Sequence, residues 1–239
     1  MKLIFSLLFS LVCLLAEQEK TSTPSPRENT LQNEANNETE VDKTKNLASS
    51  KSGFVIGIEA LFGSSITEET QGESSSFSVM GGLYVGYQHY FDENLGLRAL
   101  FHIHDGTPIL GSFSSSTQSI QTSALPFWLG TELDLLWDFW QGGDHTLGLS
   151  GGLGYNFEIY HAREVKINNT SFALPSTYQH NLYPILGLHY YFGQHQISLN
   201  YRFIGTLNSS IKEYQAGGVN FKTHYSFKDY FNLSYFYRF

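Results

Sequence analysis

Seven charged residues lie on the polar side of segments that alternate between apolar and polar side chains. Four are acids and three are bases: Glu59, Arg98, Glu132, Asp134, Glu158, Arg202 and Arg238. Acidic and basic groups gathered in one interior could line a path for ions. An unpaired buried charge is costly, however, so we expect these groups to pair with one another and to fill the space they share.

Two histidines are candidates for a metal site. His102 and His104 share the polar side of one segment, and Asp105 follows them. Imidazole and carboxylate groups are metal ligands. No spacing in the sequence requires a metal, so we interpret the histidines as polar interior residues, and we predict no metal site and no cofactor.

A third group of residues has the types found in hydrolases. His224-Tyr225-Ser226 places a base two residues from a hydroxyl, and Glu213 lies in the same segment. A nucleophile and its base must be held rigidly within hydrogen-bond distance. This tripeptide lies in a segment that we predict to be a long loop. We therefore predict no catalytic residue and no enzymatic activity.

Composition and charge limit the class of protein. The chain has 239 residues, of which 15% are aromatic, and apart from Phe5 and Phe9 all its aromatic residues follow position 53. The net charge of −8 argues against nucleic acid as a partner, because phosphate backbones select basic surfaces. Cys13 is the only cysteine and lies near the N-terminus, so we expect no disulfide in the mature protein.

Period-two alternation predicts eight β-strands after Gly53. In the first, Phe54, Ile56 and Ile58 share one face, and Gly57 and Glu59 share the other. The predicted strands are Phe54–Phe62, Phe77–Phe91, Leu95–His104, Ser123–Trp140, His145–Tyr160, Tyr178–Phe192, Gln196–Ile204 and Asp229–Phe239.

The connections between these strands are alternately long and short. Three are tight turns that contain Gly, Asn or Asp. The other four are long and polar: Gly63–Ser76, Asp105–Thr122, His161–Thr177 and Gly205–Lys228. Short turns at one end and long loops at the other are typical of outer-membrane barrels. The sequence thus predicts an all-β fold, an eight-stranded antiparallel transmembrane up-and-down barrel.

Side-chain size indicates which face meets lipid. A soluble lipocalin-like barrel would place the apolar face inside, where eight strands leave little room. The apolar faces carry bulky residues such as Phe127, Trp137 and Tyr190, whereas the polar faces are rich in Gly and Ser. We therefore predict an apolar outer face with two aromatic girdles. The periplasmic girdle comprises Tyr90, Phe91, Trp137, Trp140, Tyr191, Phe192 and Phe239, and the outer girdle comprises Phe62, Phe101, Phe127, Phe157, Tyr160 and Phe203.

The last predicted strand resembles the strand that ends the outer-membrane barrels of Gram-negative bacteria. Its apolar face carries Phe231, Leu233, Tyr235, Tyr237 and Phe239. In such barrels a C-terminal Phe is the usual signal to the barrel assembly machinery. The resemblance implies location in the bacterial outer membrane, contact with its lipids and lipopolysaccharide, and recognition by that machinery.

The segments before the barrel are predicted to be a signal and a spacer. Lys2, the apolar Leu3–Leu15 and Ala16 resemble a signal peptide over residues 1–16. Lipidation of Cys13 is the alternative, although Val12 before it is large for a lipidation site. Residues 17–52 are almost devoid of apolar side chains, so we predict a disordered polar segment in the periplasm before the barrel at 53–239.

Two hairpins resemble the outer membrane protein family of Helicobacter and its relatives. Gly86-Tyr87-Gln88-His89-Tyr90-Phe91 followed by Leu95-Gly96-Leu97-Arg98 is similar to one family hairpin, and the segments 130–136 and 149–154 resemble its central hairpin. The resemblance implies a surface-exposed outer-membrane protein, with larger relatives that act as adhesins or porins. This chain lacks the large extracellular insertion of the adhesins.

We therefore expect a monomeric, non-catalytic barrel that stabilises the outer membrane and presents surface loops to a host or surface ligand. A small porin-like channel is the alternative, because the charged interior could conduct ions. A lipid A-modifying enzyme is a further alternative, because some eight-stranded outer-membrane barrels are deacylases or acyltransferases.

Overall fold

In a computed structural model, eight antiparallel β-strands pair into a closed ring. The structure describes residues 48–69, 72–114, 119–168, 170–203, 205, 212–216 and 219–239. The strands in these residues are β1 (Gly53–Glu69), β2 (Gly72–Tyr90), β3 (Leu95–Gly106), β4 (Ile109–Ser114), β5 (Ser119–Gly142), β6 (His145–Ile167), β7 (Thr170–Leu174), β8 (Thr177–Phe192), β9 (His195–Arg202), β10 (Lys212–Ala216) and β11 (Val219–Arg238).

The ring follows the order of the chain. β1, β2, β3, β5, β6, β8, β9 and β11 each pair antiparallel with the next, and β11 pairs with β1 to close the barrel. Closure removes the free edges that an open sheet would expose. The prediction of an eight-stranded antiparallel up-and-down barrel is confirmed.

Side chains alternate between the outer face and the interior as the sequence predicts. On β1, Phe54, Ile56 and Ile58 are 67%, 52% and 59% exposed, whereas Val55 and Glu59 are 2% and 6% exposed. The same alternation places Phe231, Leu233, Tyr235, Tyr237 and Phe239 on the outer face of the last strand and its end. An exposed apolar band on a closed barrel is the surface that a bilayer covers. No described helix is long and apolar enough to cross a membrane.

The three tight turns form where the sequence predicts them. Gly143 begins the turn between β5 and β6 with φ 63°, and Gly193 begins the turn between β8 and β9 with φ 62°. Glycine adopts this left-handed conformation without steric cost, as the first position of a type II′ turn requires. Between β2 and β3, Asp92 Oδ1 accepts hydrogen bonds from the backbone N–H groups of Asn94 and Leu95, at 2.7 and 2.8 Å. These turns, the first residues of β1 and the last residues of β11 lie at the same end of the barrel, the turn end.

The prediction of four long loops at the other end, the loop end, is wrong for most of their residues. β1 extends to Glu69 and β2 begins at Gly72. β4, β7 and β10 pair with β5, β6 and β11 beyond the ring, so the remaining three connections are also largely hairpins. The pattern was missed because the outward side chains here are polar, while apolar residues such as Ile120 and Val165 are buried inside. Ile204, the predicted end of the seventh strand, lies outside the described residues.

Three tyrosines predicted for the aromatic girdles point into the barrel instead. Tyr90, Tyr160 and Tyr191 are 2%, 1% and 3% exposed. Their hydroxyl groups find polar partners inside: Tyr90 donates to Asp138 at 3.0 Å and Tyr160 donates to Glu158 at 2.7 Å. Of the other predicted girdle residues, Phe91, Phe101, Trp137, Trp140, Phe203 and Phe239 are exposed on the outer face.

The segment just before the barrel is ordered. Residues 1–47, which contain the predicted signal peptide and most of the predicted polar segment, lie outside the described residues. Residues 48–51 form one helical turn, and Ala48 and Lys51 are 7% and 5% exposed. Disorder is therefore the wrong prediction for 48–52, because this short stretch gains buried contacts inside the turn end of the barrel.

Candidate functional site

The central cluster joins one arginine to two glutamates in the middle of the barrel. It consists of Glu59, Tyr84, Glu132, Tyr183 and Arg202, which come from five different strands. Arg202 Nη2 lies 3.1 Å from Glu59 Oε1 and also contacts Glu132. The Tyr84 hydroxyl donates to Glu59 at 2.5 Å and the Tyr183 hydroxyl donates to Glu132 at 3.0 Å. All five side chains are buried, so charge-assisted hydrogen bonds connect five strands across the interior.

A second ion pair lies closer to the turn end. Arg98 on β3 and Asp134 on β5 are direct cross-strand partners, and Arg98 Nη2 is 2.8 Å from Asp134 Oδ2. The Arg98 guanidinium carbon also lies 4.8 Å from the centre of the Phe236 ring. Opposite charges that face each other across a ladder stabilise the pairing, and here both are almost fully buried.

The other two of the seven predicted charges are not in ion pairs among the described side chains. Glu158 accepts hydrogen bonds from Tyr160, Gln179 and Asn181, at 2.7, 2.5 and 3.0 Å. Arg238 donates to the backbone carbonyl of Gly193 at 2.9 Å. Neutral partners thus satisfy these groups. The expectation that all seven charges pair with one another is wrong for these two.

The mouth cluster closes the turn end and was not predicted as a unit. It consists of Lys51, Tyr90, Asp138, His189 and Tyr191. Lys51 Nζ lies 2.6 Å from Asp138 Oδ2, and His189 Nε2 lies 2.6 Å from Asp138 Oδ1. Lys51 Nζ also donates to the carbonyl of Glu93 in the first tight turn, at 2.6 Å. The chain before the barrel is therefore fastened to the inner wall by a buried ammonium group.

The inward position of Asp138 could have been predicted from the sequence, whereas that of Lys51 could not. Asp138 continues the period-two series of Glu132 and Asp134, so extending the predicted polar face by four residues would have placed it in the interior. Lys51 stands in a run of polar residues that resembles the preceding spacer. Only the folded chain shows that its side chain enters the barrel.

The upper seal is apolar and fills the barrel between the central cluster and the loop end. Its residues are Leu61, Met80, Ile109, Ala124, Trp128, Tyr160, Tyr225, Phe227 and Tyr230. Trp128 is fully buried, with its ring 4.7 Å from that of Phe227 in an edge contact. A second apolar group, Phe113, Ile120, Val165 and Ile167, packs beyond it. Close-packed side chains of this size leave little space for water.

The two histidines lie inside the barrel, as predicted, and Asp105 does not join them. His102 and His104 are buried with ring centres 4.6 Å apart. His104 Nε2 lies 2.8 Å from Glu59, and His102 Nε2 lies 2.8 Å from Asn156, whereas Asp105 is exposed on the outer face. Within the described part of the chain, no three His, Cys, Asp or Glu side chains are grouped so that they could hold a metal.

The candidate hydrolytic residues lie on two paired strands. His224 and Ser226 are on β11, opposite Glu68 and Ile66 of β1, and Glu213 is on β10 opposite Lys222. Partial burial lowers the pKa of His224 below its ordinary value, and the charge of Glu68 opposes this shift. The prediction that these residues lie in an irregular loop is wrong, because the hairpin extends the barrel ladder.

Comparisons with known proteins give several similar solved structures and one family. Among solved structures, the attachment invasion locus protein Ail of Yersinia pestis is 15% identical, with a TM-score of 0.38 over 78% of this chain and 99% of that one. Neisserial surface protein A is 12% identical, with a TM-score of 0.35 over 78% and 97%. The N-terminal barrel of Pseudomonas aeruginosa OprF is 13% identical, with a TM-score of 0.30 over 79% and 100%. No curated protein matches the sequence.

One family model matches most of the sequence. The model described as Helicobacter outer membrane protein matches residues 82–239, which is more than half of the chain and includes both hairpins singled out in the sequence. This chain therefore belongs to the Helicobacter outer membrane protein family and is a protein of the bacterial outer membrane.

Proposed function

We propose that this protein is a non-catalytic, non-conducting barrel that stabilises the outer membrane and presents four hairpins for interaction at the cell surface. The observation that carries the proposal is the filled interior, in which the mouth cluster, the central cluster and the upper seal follow one another from the turn end to the loop end. Eight strands enclose a space that side chains can fill completely.

The filled interior favours a structural role over conduction. An ion that entered from the turn end would meet the Lys51–Asp138 ion pair and then the central cluster, in which Arg202 and Glu59 already form an ion pair. Beyond these lie the apolar rings around Trp128. Passing all three levels would require an ion to lose hydration and cross a layer of packed, mainly apolar side chains, and moving an unpaired charge into such surroundings costs several kcal/mol or more.

The hairpins at the loop end supply a surface for contact with ligands. A groove of about 490 Å³ lies among these hairpins, lined by Ser74–Ser76, Leu110–Ser112, Gln121–Ser123, Glu164 and Lys166. Seven of the eleven lining residues carry hydroxyl or amide groups, although most of the lining surface is apolar, and we propose that a ligand with polar and apolar parts, such as lipopolysaccharide or a host surface ligand, binds there. We further propose that the barrel is a monomer and that the apolar face of its last strand is read by the barrel assembly machinery.

Single-channel recording in planar bilayers tests the proposal. The purified protein, shown to be folded by its heat-modifiable mobility, is expected to give no conductance steps. A variant that lacks residues 17–52 is the matched comparison, because it removes Lys51 and leaves the central cluster and upper seal in place. It is also expected to be silent. Steps in the wild-type protein whose ion selectivity changes in Asp134→Asn would refute the proposal and establish a small channel.

A channel that is closed by its own N-terminal segment is the second candidate. It is favoured by the fact that the turn end is filled by residues 48–52, which precede the barrel, and not by the barrel wall alone. Conductance that appears only after removal of 17–52 would support this candidate against the first.

Absence of catalysis is tested separately. Lipid A from cells with and without the gene is expected to give identical mass spectra. A change in acylation would overturn the non-catalytic assignment and direct attention to His224 and Ser226.

A further inference from the structure

A β-bulge near the loop end turns one arginine into the barrel. Ala162 on β6 has φ 48°, a left-handed conformation that is unusual for a residue with a side chain. At this point the pairing of β5 with β6 shifts between Ser123 and Leu125. The extra residue reverses the faces of β6, so Arg163 points inward, where it is 2% exposed. Bulges that re-aim a side chain are often found at functional positions.

Arg163 lacks a carboxylate partner among the described side chains. Its Nη1 donates to the backbone carbonyl of Pro175 at 2.9 Å. Its Nε and Nη2 are buried and have no hydrogen-bond partner within the part of the chain that the structure describes. These two N–H groups form one edge of the guanidinium, the parallel fork that binds two oxygens of an anion. A buried cation with this edge free is costly unless an anion occupies it.

Two tyrosine rings pack against the guanidinium group of Arg163. The Arg163 guanidinium carbon lies 4.5 Å from the ring centre of Tyr214 and 5.3 Å from that of Tyr225. The hydroxyl of Tyr214 is also buried and has no hydrogen-bond partner among the described residues. A planar carboxylate would use only the two N–H groups of the fork, whereas a tetrahedral oxyanion has further oxygens available for a hydroxyl donor outside the guanidinium plane.

We propose that Arg163 and Tyr214 bind a tetrahedral oxyanion, a phosphate or sulfate group, at the loop end of the barrel. The anion accepts two hydrogen bonds from Nε and Nη2 of Arg163 and one from the Tyr214 hydroxyl. Tyr214 belongs to β10 and Arg163 to β6, so the bound anion ties the β10–β11 hairpin to the β6–β7 hairpin. This site is separate from the 490 Å³ groove among the hairpins, whose lining does not include Arg163 or Tyr214. The proposal does not depend on the proposed function.

Calorimetric titration of the purified full chain in detergent micelles with inorganic phosphate tests the site. At constant ionic strength the wild-type protein is expected to bind phosphate and not chloride. Arg163→Met is expected to weaken binding by about tenfold or more, because two hydrogen bonds from a charged donor are lost. Arg163→Lys keeps the charge but loses the fork, so it is expected to fall between the two. Lys228→Met is the control for surface charge, and it should bind as the wild type does.

A second arm distinguishes a free phosphate from the phosphate of a lipid. Vesicles with and without lipopolysaccharide are titrated into the same variants. Dependence on Arg163 in the inorganic arm indicates a free anion, and dependence in the vesicle arm alone indicates a lipid phosphate. Either outcome supports the site. Binding that is absent from the wild type in both arms, or equal in wild type, Arg163→Met and Arg163→Lys, overturns it.

Discussion

Loss of the Lys51 ammonium group should loosen the chain at the turn end and destabilise the whole barrel. Lys51 Nζ makes two contacts of 2.6 Å, to Asp138 Oδ2 and to the carbonyl of Glu93, and the side chain is 5% exposed. Hydrogen bonds of charged groups contribute about 1.5–3 kcal/mol each. Lys51→Met loses both bonds, but Asp138 keeps His189 and Tyr90 as partners and the cost of burying the ammonium group is removed, so we expect a net loss of about 2–3 kcal/mol in the free energy of unfolding.

The opposite single change should cost more. Asp138→Asn leaves a buried ammonium group without its carboxylate, which costs about 3–5 kcal/mol. The double variant Lys51→Met/Asp138→Asn removes both charges and should be less destabilised than the sum of the single variants. We expect a coupling energy of about 2 kcal/mol, within the usual range for contacting residues.

Urea unfolding followed by tryptophan fluorescence in detergent micelles measures this cycle. The matched control is the exposed pair of Lys228 and Glu73, whose charged atoms are 3.6 Å apart and whose side chains are each 54% exposed. Its cycle, with Lys228→Met and Glu73→Gln, should give a coupling below about 1 kcal/mol. Trypsin should also cut after Lys51 faster in Asp138→Asn than in the wild type. Equal coupling in both cycles and unchanged cleavage would refute the fastening of the N-terminal segment.

Three further predictions concern other parts of the barrel. A Cβ at Gly82 would lie 2.1 Å from the His104 ring, whereas one at Gly81 would meet nothing within 4 Å. In urea titrations, Gly82→Ala should therefore lower the free energy of unfolding by about 1–3 kcal/mol. Gly81→Ala, the matched control, should leave it unchanged or raise it by up to about 1 kcal/mol. Phe239 is 71% exposed, so Phe239→Ala should change the stability of the purified barrel by less than about 0.5 kcal/mol. The same substitution should lower the amount of heat-modifiable barrel in cell membranes. An undiminished band would count against the assembly signal. At Ala162, glycine should stabilise by up to about 1 kcal/mol and valine should destabilise by about 1–2 kcal/mol, and the reverse order in thermal melts would contradict the left-handed bulge.

Period-two alternation was sufficient to predict the membrane-spanning part of the barrel. On β1 and at the end of β11, one face is apolar and the other has small or polar side chains. The sequence of each strand therefore indicates which of its faces meets lipid. The tight turns follow from Gly143, Gly193 and Asp92, whose backbone requirements are local. Features that depend on one strand and its neighbours in the chain are therefore predictable.

Partners in the interior were not predictable in the same way. Arg202 meets Glu59 and Glu132 across the barrel, and nothing in the spacing of these residues states which carboxylate faces which arginine. Tyrosine is ambiguous in a membrane barrel, because its ring suits the headgroup region and its hydroxyl suits a polar interior. For Tyr90 and Tyr191 the position on the strand decides, since both occupy the inward side of the alternation.

The hairpins were missed because the rule for which face is apolar reverses where the barrel leaves the bilayer. On β5 the sequence itself reverses: Leu125 and Phe127 face outward, whereas Ile120 faces inward. On β6 the apolar residues keep the same parity, since Phe157 and Val165 are both odd-numbered, yet Val165 is buried and Phe157 lies on the outer face. The bulge at Ala162 makes the reversal there by inserting one residue.

Two neighbouring strands thus reach the same inversion by different means, one in sequence and one in backbone geometry. The inversion on β5 is visible in the sequence, because the apolar residues change from odd to even positions. The inversion on β6 is not visible there, because the apolar residues stay at odd positions and only the backbone changes. The bulge that hides the hairpin in the sequence is also what turns Arg163 into the barrel.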